Sequence, residues 1–319
     1  MSAGGAGRDE IRFDDVSKFY GEVLGVNRVN LSIAPGITSL VGPNGSGKST
    51  LMNLMTGLLR PSRGQVRALG LGPDDPERFF RNVGYCTQFD RFPHGLTGRQ
   101  FVLGYLRVHG HEGSLAARLA DEAIDRVGLD DAAGRRVAGY SKGMRQRIKL
   151  AQAIAHHPPI LVLDEPLNGL DPMARAEVID LFKELAHDDR HVIISSHILH
   201  EVDLISDSVV ILNQGYVVAE GDIRGVRSEI RRHPMQILVR CDRATDVAGA
   251  MLRMPHVVEI QMHEDRGGLL VKTDDADDFY LRLNETVVSL GVAVETITPA
   301  DEDVHAVYRY LVSDHGEPS

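Results

Sequence analysis

Residues 42 to 50 read GPNGSGKST, a glycine-rich stretch between an apolar run and a helical pattern. The apolar run ITSLVG (37–42) comes before it and the helical run STLMNLMTGLL (49–59) follows. Strand, glycine-rich turn and helix in this order are the context of a phosphate-binding loop. Such a loop wraps phosphates with backbone N–H groups, and its lysine and serine reach phosphate and magnesium. Those roles fall to Lys48 and Ser49. The alternative is a chance match in a glycine-rich turn, which the flanking strand and helix disfavour.

A second stretch, ILVLDEP (160–166), reads as a buried strand that ends in two acids. Next to a phosphate loop, Asp164 is suited to the magnesium shell. Glu165 is suited to orient or deprotonate an attacking water. A strand followed by an ordinary charged turn is the competing interpretation.

The pattern around these motifs predicts an α/β fold. Apolar runs of strand length alternate with helical patterns from about residue 10 to 227, and ITSLVG and ILVLDE are nearly all apolar, as in a parallel sheet covered on both faces. Between about 97 and 140 the pattern becomes purely helical, and Thr97 with Gln100 predicts a capping box. We therefore expect an α/β fold in which crossover helices join the strands.

The rest of the chain predicts a second, smaller domain over residues 228–313. Its pattern is strand, helix, strand, strand, helix, strand and a further helix, which is a ferredoxin-like α+β order with one extra helix. Residues 1–9 are predicted to be a disordered leader, and residues 314–319 a tail.

Composition narrows the classes of function. The net charge of −10 argues against broad nucleic-acid binding, and no apolar run reaches the length of a membrane span. Two distant cysteines, Cys86 and Cys241, are typical of reduced thiols rather than a disulfide framework. If the protein acts at a membrane, a partner has to supply the membrane part.

The stretch YSKGMRQR (140–147) begins a predicted helix over 142–157. Ser141 is a good N-cap, and the positive end of the helix behind it could meet an anion. The simpler interpretation is a helix cap and nothing more.

Three single residues add weaker signals. His197 and Gln88 each end a predicted strand, where α/β sheets place their ligands, although an isolated histidine is more often structural. Tyr20 could stack on a base, although a core tyrosine is the default.

Together these stretches resemble the ATP-binding cassette (ABC) ATPases of transporters, over about residues 10–222. GPNGSGKST is similar to the Walker A loop and ILVLDE to the Walker B strand with its catalytic glutamate. SKGM resembles the family signature and NGLD (168–171) the D-loop, while Gln88 matches the Q-loop and His197 the switch histidine. The combination, in the family's order, is specific in a way that no single motif is. The resemblance implies a P-loop NTPase cassette with a mixed sheet core, an antiparallel β part and a helical subdomain over about residues 90–157.

The resemblance implies a division of roles among site residues, with ATP and Mg²⁺ as cofactors. Catalytic roles would fall to Glu165, His197 and Gln88, and metal contacts to Ser49, Gln88 and Asp164. The residues implied in nucleotide binding are Tyr20, Gly42, Asn44, Gly45, Gly47, Lys48, Ser49, Thr50, Ser141, Gly143 and Asp171. In the family two cassettes pack head to tail, so that Ser141 and the N–H of Gly143 would meet the γ-phosphate held by a partner. That would explain an anion site with no anion of its own.

The signature departs from the usual Leu-Ser-Gly-Gly-Gln, because Tyr140, Lys142 and Met144 replace three of its residues. Lys142 could supply a positive charge instead. The chain otherwise resembles single-cassette subunits of bacterial multidrug, sodium, antibiotic or polysaccharide exporters. This implies a separate transmembrane permease, touched by residues 92–110, and a second copy of the chain or a related cassette as dimer partner. It also implies a place at the cytoplasmic face of the cell membrane.

Two functions of different classes remain open from the sequence. The first is an ATPase that powers export, and Glu165 and His197 favour it because both serve turnover. The second is an ATP-gated regulatory module whose C-terminal domain senses a ligand or a protein.

Overall fold

The computed structural model describes residues 10–72, 74–187, 189–196, 199–222, 234–263 and 267–299. Outside these ranges lie the predicted leader, the tail, the last predicted helix, residues 223–233 and His197. The described chain divides into two compact units, with the main boundary between Glu220 and Gly221.

The first unit is built on a six-stranded sheet in the order β5-β6-β7-β3-β8-β9, whose first five strands run parallel. All residues of β6 and β7 are buried, as a sheet covered on both faces requires. The strands are β3 (Gly36–Val41), β5 (Val83–Cys86), β6 (Ile160–Leu163), β7 (His191–Ser196), β8 (Ser208–Asn213) and β9 (Tyr216–Asp222).

An antiparallel sheet of three strands forms the second β layer of this unit, in the order β2-β1-β4. Its strands are β1 (Ile11–Tyr20), β2 (Val23–Ile33) and β4 (Arg63–Ala68). The apolar residues of its inner face and of the helix after the glycine-rich loop form one hydrophobic cluster. This cluster fixes the start of that helix, and so the loop, against the sheets.

Seven helices accompany the described strands of the first unit. They are α1 (Lys48–Met55), α2 (Pro76–Arg81), α3 (Gly98–Val108), α4 (Gly113–Arg126), α5 (Lys142–Ile154), α6 (Pro172–Leu185) and α7 (Leu199–Ile205). The capping box of Thr97 and Gln100 is present at the start of α3. Helix α5 ends at Ile154, three residues before the predicted end at 157. Pro158 has no N–H to donate to the Ile154 carbonyl, and His157 before it has a φ of 52°, outside the helical region.

The second unit has a four-stranded antiparallel sheet in the order β11-β12-β10-β13. Two helices pack on one face of it, and this arrangement has the predicted ferredoxin-like order. Its elements are β10 (Met235–Cys241), α8 (Ala244–Met251), β11 (Val257–Met262), β12 (Gly268–Thr273), α9 (Ala276–Leu290) and β13 (Val294–Pro299). Alternate strand residues such as Ile237, Val239 and Val271 are fully buried under the helices.

Candidate active site

The glycine-rich loop joins β3 to α1 through backbone conformations that glycine adopts without strain. Gly45 and Gly47 have φ of 80° and 108°. A Cβ at Gly47 would lie 2.8 Å from the carbonyl oxygen of Gly25, so the position lacks both the conformation and the space for a side chain. The close approach of the Gly25 backbone therefore holds the loop at the start of α1.

The Lys48 side chain is enclosed by this loop. Its ammonium donates hydrogen bonds to the carbonyl oxygens of Gly42 at 2.6 Å and Pro43 at 3.1 Å. Burial lowers the pKa of Lys48, and the carboxylates of Glu165 and Asp164 partly oppose that shift. The Lys48 ammonium can therefore bind a phosphate, and the two nearby carboxylates can bind a metal cation that comes with that phosphate.

The two acids follow β6 directly. Asp164 is 4% exposed, and its Oδ2 accepts a hydrogen bond from the Ser49 hydroxyl at 3.1 Å. Its Oδ1 accepts from the Ser195 hydroxyl at 2.7 Å. Glu165 has a φ of 50°, which is unusual outside glycine, and its N–H donates to Ser195 Oγ at 2.8 Å. Ser195 is a site residue that the sequence motifs did not reveal.

One open cavity of about 390 Å³ brings most of the predicted residues together. Those that line it are Tyr20, Asn44, Gly45, Gly47, Lys48, Ser49, Thr50, Gln88, Asp164 and Glu165. Gly42 contributes its carbonyl oxygen to Lys48 from the base of the loop. The motifs that lie far apart in the sequence therefore share one surface in the fold.

Tyr20 lies at this cavity as an exposed aromatic side chain, 46% accessible, and not as a core residue. Its hydroxyl is 3.3 Å from Thr50 Oγ1, and the Lys18 ammonium lies 5.6 Å from the ring centroid. The ring is thus available to stack on a planar ligand at the start of α1.

Ser141, Gly143 and Asp171 line a separate cavity of about 420 Å³. Ser141 Oγ accepts from the N–H of Met144 at 3.2 Å, so it caps α5 as predicted. Asp171 caps α6 in the same way, through the N–H of Ala174 at 3.0 Å. Neither cavity has a lining residue of the other among the described residues, so one chain divides the predicted residues between two surfaces.

Lys142 lies beside this second group. A Cβ built at Gly169, where φ is 78°, would come within 2.5 Å of both Cδ and Cε of Lys142. The lysine alkyl chain therefore lies across the D-loop, and the glycine leaves room for it.

Comparison with known proteins gives the relatives of the chain. Residues 26–168 match the ABC transporter family. The chain is 30% identical over 310 residues to the ABC transporter ATP-binding protein YdbJ of Bacillus subtilis, an alignment that covers 96% of each protein. It is 28% identical over 292 residues to the Nod factor export ATP-binding protein I of Rhizobium etli, covering 86% of this chain and 92% of the relative.

A solved structure also matches the chain. It is the dimeric structure of an ATP-binding cassette in a post-hydrolysis state, bound to ADP and phosphate. The match has 27% sequence identity and a TM-score of 0.63, and it covers 67% of this chain and 99% of the other.

Proposed function

We propose that this chain, which belongs to the ABC transporter family as an ATP-binding and ATP-hydrolysing subunit, powers export through a separate transmembrane permease. The observation that carries the proposal is the cavity where the phosphate loop, both acids, Gln88 and Tyr20 meet. The relative from Rhizobium etli is named for export, which supports that direction of transport.

The residues around Asp164 fit a magnesium ion. Mg²⁺ takes oxygen ligands, retains several waters and is bound by one or two protein groups together with substrate phosphates. The Ser49 hydroxyl and the Asp164 carboxylate already lie within 3.1 Å of each other, and the Gln88 amide lines the same cavity. Since the described residues contain no cluster of three or more His, Cys, Asp or Glu suited to a metal, we expect the phosphates of ATP to complete the shell.

For the chemistry, we assign the proton transfer to Glu165. A water attacks the γ-phosphorus, Glu165 accepts the proton of that water, and the bond to the bridging oxygen of ADP breaks. Lys48 and the loop N–H groups stabilise the phosphate charge, and Gln88 orients the water or metal. His197 remains proposed as a contact to the γ-phosphate, from a position outside the described residues.

The second cavity supports a head-to-tail dimer. Ser141 Oγ already accepts from Met144, so its hydroxyl proton remains to be donated to a phosphate. With the N–H of Gly143 it would hold the γ-phosphate bound to the Walker A loop of a second copy or a related cassette, while Asp171 links the two sites. The related cassette with ADP and phosphate is itself a dimer.

The permease would dock at an apolar groove of about 490 Å³. Tyr105, Val108 and His109 line it from the segment predicted to touch the permease, and Leu58 and Phe80 line it as well. Val108 is 85% exposed and Leu58 58%, so the groove offers apolar area for a partner helix.

No described helix of this chain is long and apolar enough to cross a membrane. From the proposed partnership with a permease, we propose attachment to the cytoplasmic face of the membrane, and the net charge of −10 disfavours a role in binding nucleic acid.

The test compares the wild-type chain with Glu165→Gln. We expect the rate of ATP turnover to fall about 100-fold or more in the variant, because a positioned general base typically contributes that much. With Mg-ATP the variant should form a stable dimer. Mass in solution and phosphate release are the measurements. Glu184→Gln is the matched control, since that glutamate pairs with Arg126 on the surface. Full turnover in Glu165→Gln would contradict the assigned base.

A further inference from the structure

Ser195 occupies the middle of the parallel sheet beside the two acids. Strand β7 lies between β6 and β3, with Leu163 opposite Ile194 and Leu40 opposite Ser195. Ser195 therefore lies next to the position where β6 gives way to Asp164. The residue is 1% exposed, so its hydroxyl has to find its partners within the protein.

That hydroxyl joins the two acids. It donates its proton to Asp164 Oδ1 at 2.7 Å and accepts the N–H of Glu165 at 2.8 Å. Asp164 thereby has one oxygen held by Ser195 and the other by Ser49. A hydroxyl has one proton and two acceptor sites, so a single serine can make both bonds at once.

The bond to the Glu165 N–H matters because of the backbone there. At φ 50° Glu165 is in the left-handed region, which residues with a side chain enter at a cost and keep only where neighbours fix them. An extended or right-handed backbone would turn both the N–H and the side chain of Glu165 in another direction. The Ser195 bond favours the conformation that brings this carboxylate to the cavity wall.

We propose that Ser195 is a positioning residue for ATP hydrolysis. One hydroxyl sets the orientation of the metal-side carboxylate of Asp164 and the backbone of the general base Glu165, so that the two move as a pair. The proposal rests on the proposed roles of those two acids. Ser195 itself contacts neither nucleotide nor water in this scheme.

The chain offers a matched control for removing a buried hydroxyl. Ser39 lies on β3, is also 1% exposed, and shares a hydrogen bond with the buried Ser206 instead of the site acids. Ser39→Ala and Ser195→Ala therefore delete the same atom from the same sheet. Only the second deletion leaves Asp164 and Glu165 without their common partner.

The experiment measures kcat, ATP affinity and the Mg²⁺ concentration for half-maximal rate in the full-length protein. For Ser195→Ala we expect kcat to fall about 10- to 100-fold, as for partners that orient a metal ligand. The Mg²⁺ requirement should rise, while ATP affinity stays within about threefold. Ser195→Thr retains the hydroxyl and should recover most of the rate. Ser39→Ala should retain wild-type kcat.

Several results would overturn the inference. Wild-type kcat in Ser195→Ala would do so, as would an equal loss in Ser39→Ala or a parallel loss of kcat and ATP affinity. If Ser195→Ala does not fold, Ser195→Cys keeps the volume with a weaker donor and acceptor, and wild-type kcat in that variant is equally contradictory. Failure of the proposed function is distinguishable, because then Glu165→Gln would turn over ATP as the wild type does, or the wild type would not turn it over.

Discussion

Lys142 stands at the start of α5, where the family signature has glycine, and its alkyl chain lies over Gly169. If its ammonium meets phosphate held by a partner, Lys142→Gly removes a charge-assisted contact. We expect about a tenfold weaker ATP-dependent dimer at low salt, and a smaller difference at high salt, where charges are screened. Sedimentation of Lys142→Gly in a protein that also carries Glu165→Gln measures the dimer affinity at several salt concentrations. Lys183→Ala in the same protein is the control. Equal dimerisation at every salt concentration would limit Lys142 to packing on the D-loop.

His156 provides a pH-dependent prediction at the same scale. Burial, with a smaller effect of His109, lowers its pKa from 6.5 to about 4. The unfolded chain then binds a proton that the folded chain does not, so stability decreases as the pH falls from about 6.5 toward 4. This group alone should cost about 2 kcal/mol between pH 7 and pH 5. Urea unfolding at several pH values measures this, and the unfolding free energy of His156→Gln should depend less on pH than that of the wild type. His94→Gln, which changes an exposed histidine, is the control. The same pH dependence in His156→Gln as in the wild type would contradict the prediction.

At the scale of elements, burial decided which strands the sequence could predict. The runs at β3, β6 and β7 are buried on both faces and therefore stand out as apolar. Strand β4 has only Val66 and Ala68 buried, and β9 has no buried residue, so neither gives a periodic signal. Strands β4 and β9 were not predicted for that reason, and their pairing in the sheets fixes them instead. Strand β2 was not predicted either, although its buried residues Val29, Leu31 and Ile33 alternate with exposed ones.

The residues of the site also differ in how well the sequence alone could predict them. Lys48, Asp164 and Glu165 lie within continuous motifs and could be predicted from local spacing. Ser195 lies 31 positions from Asp164, and its role comes from the register of two parallel strands. Only the assembled sheet brings such a residue to the site. The division of the residues between two cavities likewise followed from the family resemblance and not from the motifs alone.

Glu201 joins three elements around the end of β7. It is 7% exposed, accepts the Ser196 hydroxyl at 3.0 Å, and pairs with Arg175 of α6 at 2.9 Å. Glu201→Gln keeps the size of the side chain but removes its charge. We expect the unfolding free energy to fall by about 1–2 kcal/mol, which is less than for a fully buried pair because Arg175 is partly exposed. Urea unfolding measures this loss. Glu77→Gln, which breaks an exposed pair with Arg81, should cost less than about 0.5 kcal/mol. Equal losses in the two variants would argue against the link through Glu201.

At the scale of the whole molecule, the described residues form two hydrophobic clusters in the first unit and one in the second, and each unit has one buried cysteine. Cys86 belongs to a cluster of the first unit and Cys241 to that of the second, and no described residue belongs to both clusters. Burial raises the pKa of Cys86 to about 12 and also raises the pKa of Cys241. Neither thiol should react near neutral pH while its unit is folded, because the thiolate is the nucleophile.

These thiols therefore report how ATP binding acts on each unit. In the Glu165→Gln variant, Mg-ATP at 100 times its dissociation constant should stabilise the unit that binds it by about 2.7 kcal/mol. Pulse alkylation across a urea series, with each cysteine identified in peptides, should show Cys86 exposure moving by roughly 1 M to higher urea. Cys241 should keep its midpoint, because it lies in the second unit, whereas Cys86 lies in the first unit together with every residue of the nucleotide cavity. The same series without nucleotide is the control. If both midpoints move together, the two units unfold as one cooperative body, and ATP binding in the first unit stabilises the second as well.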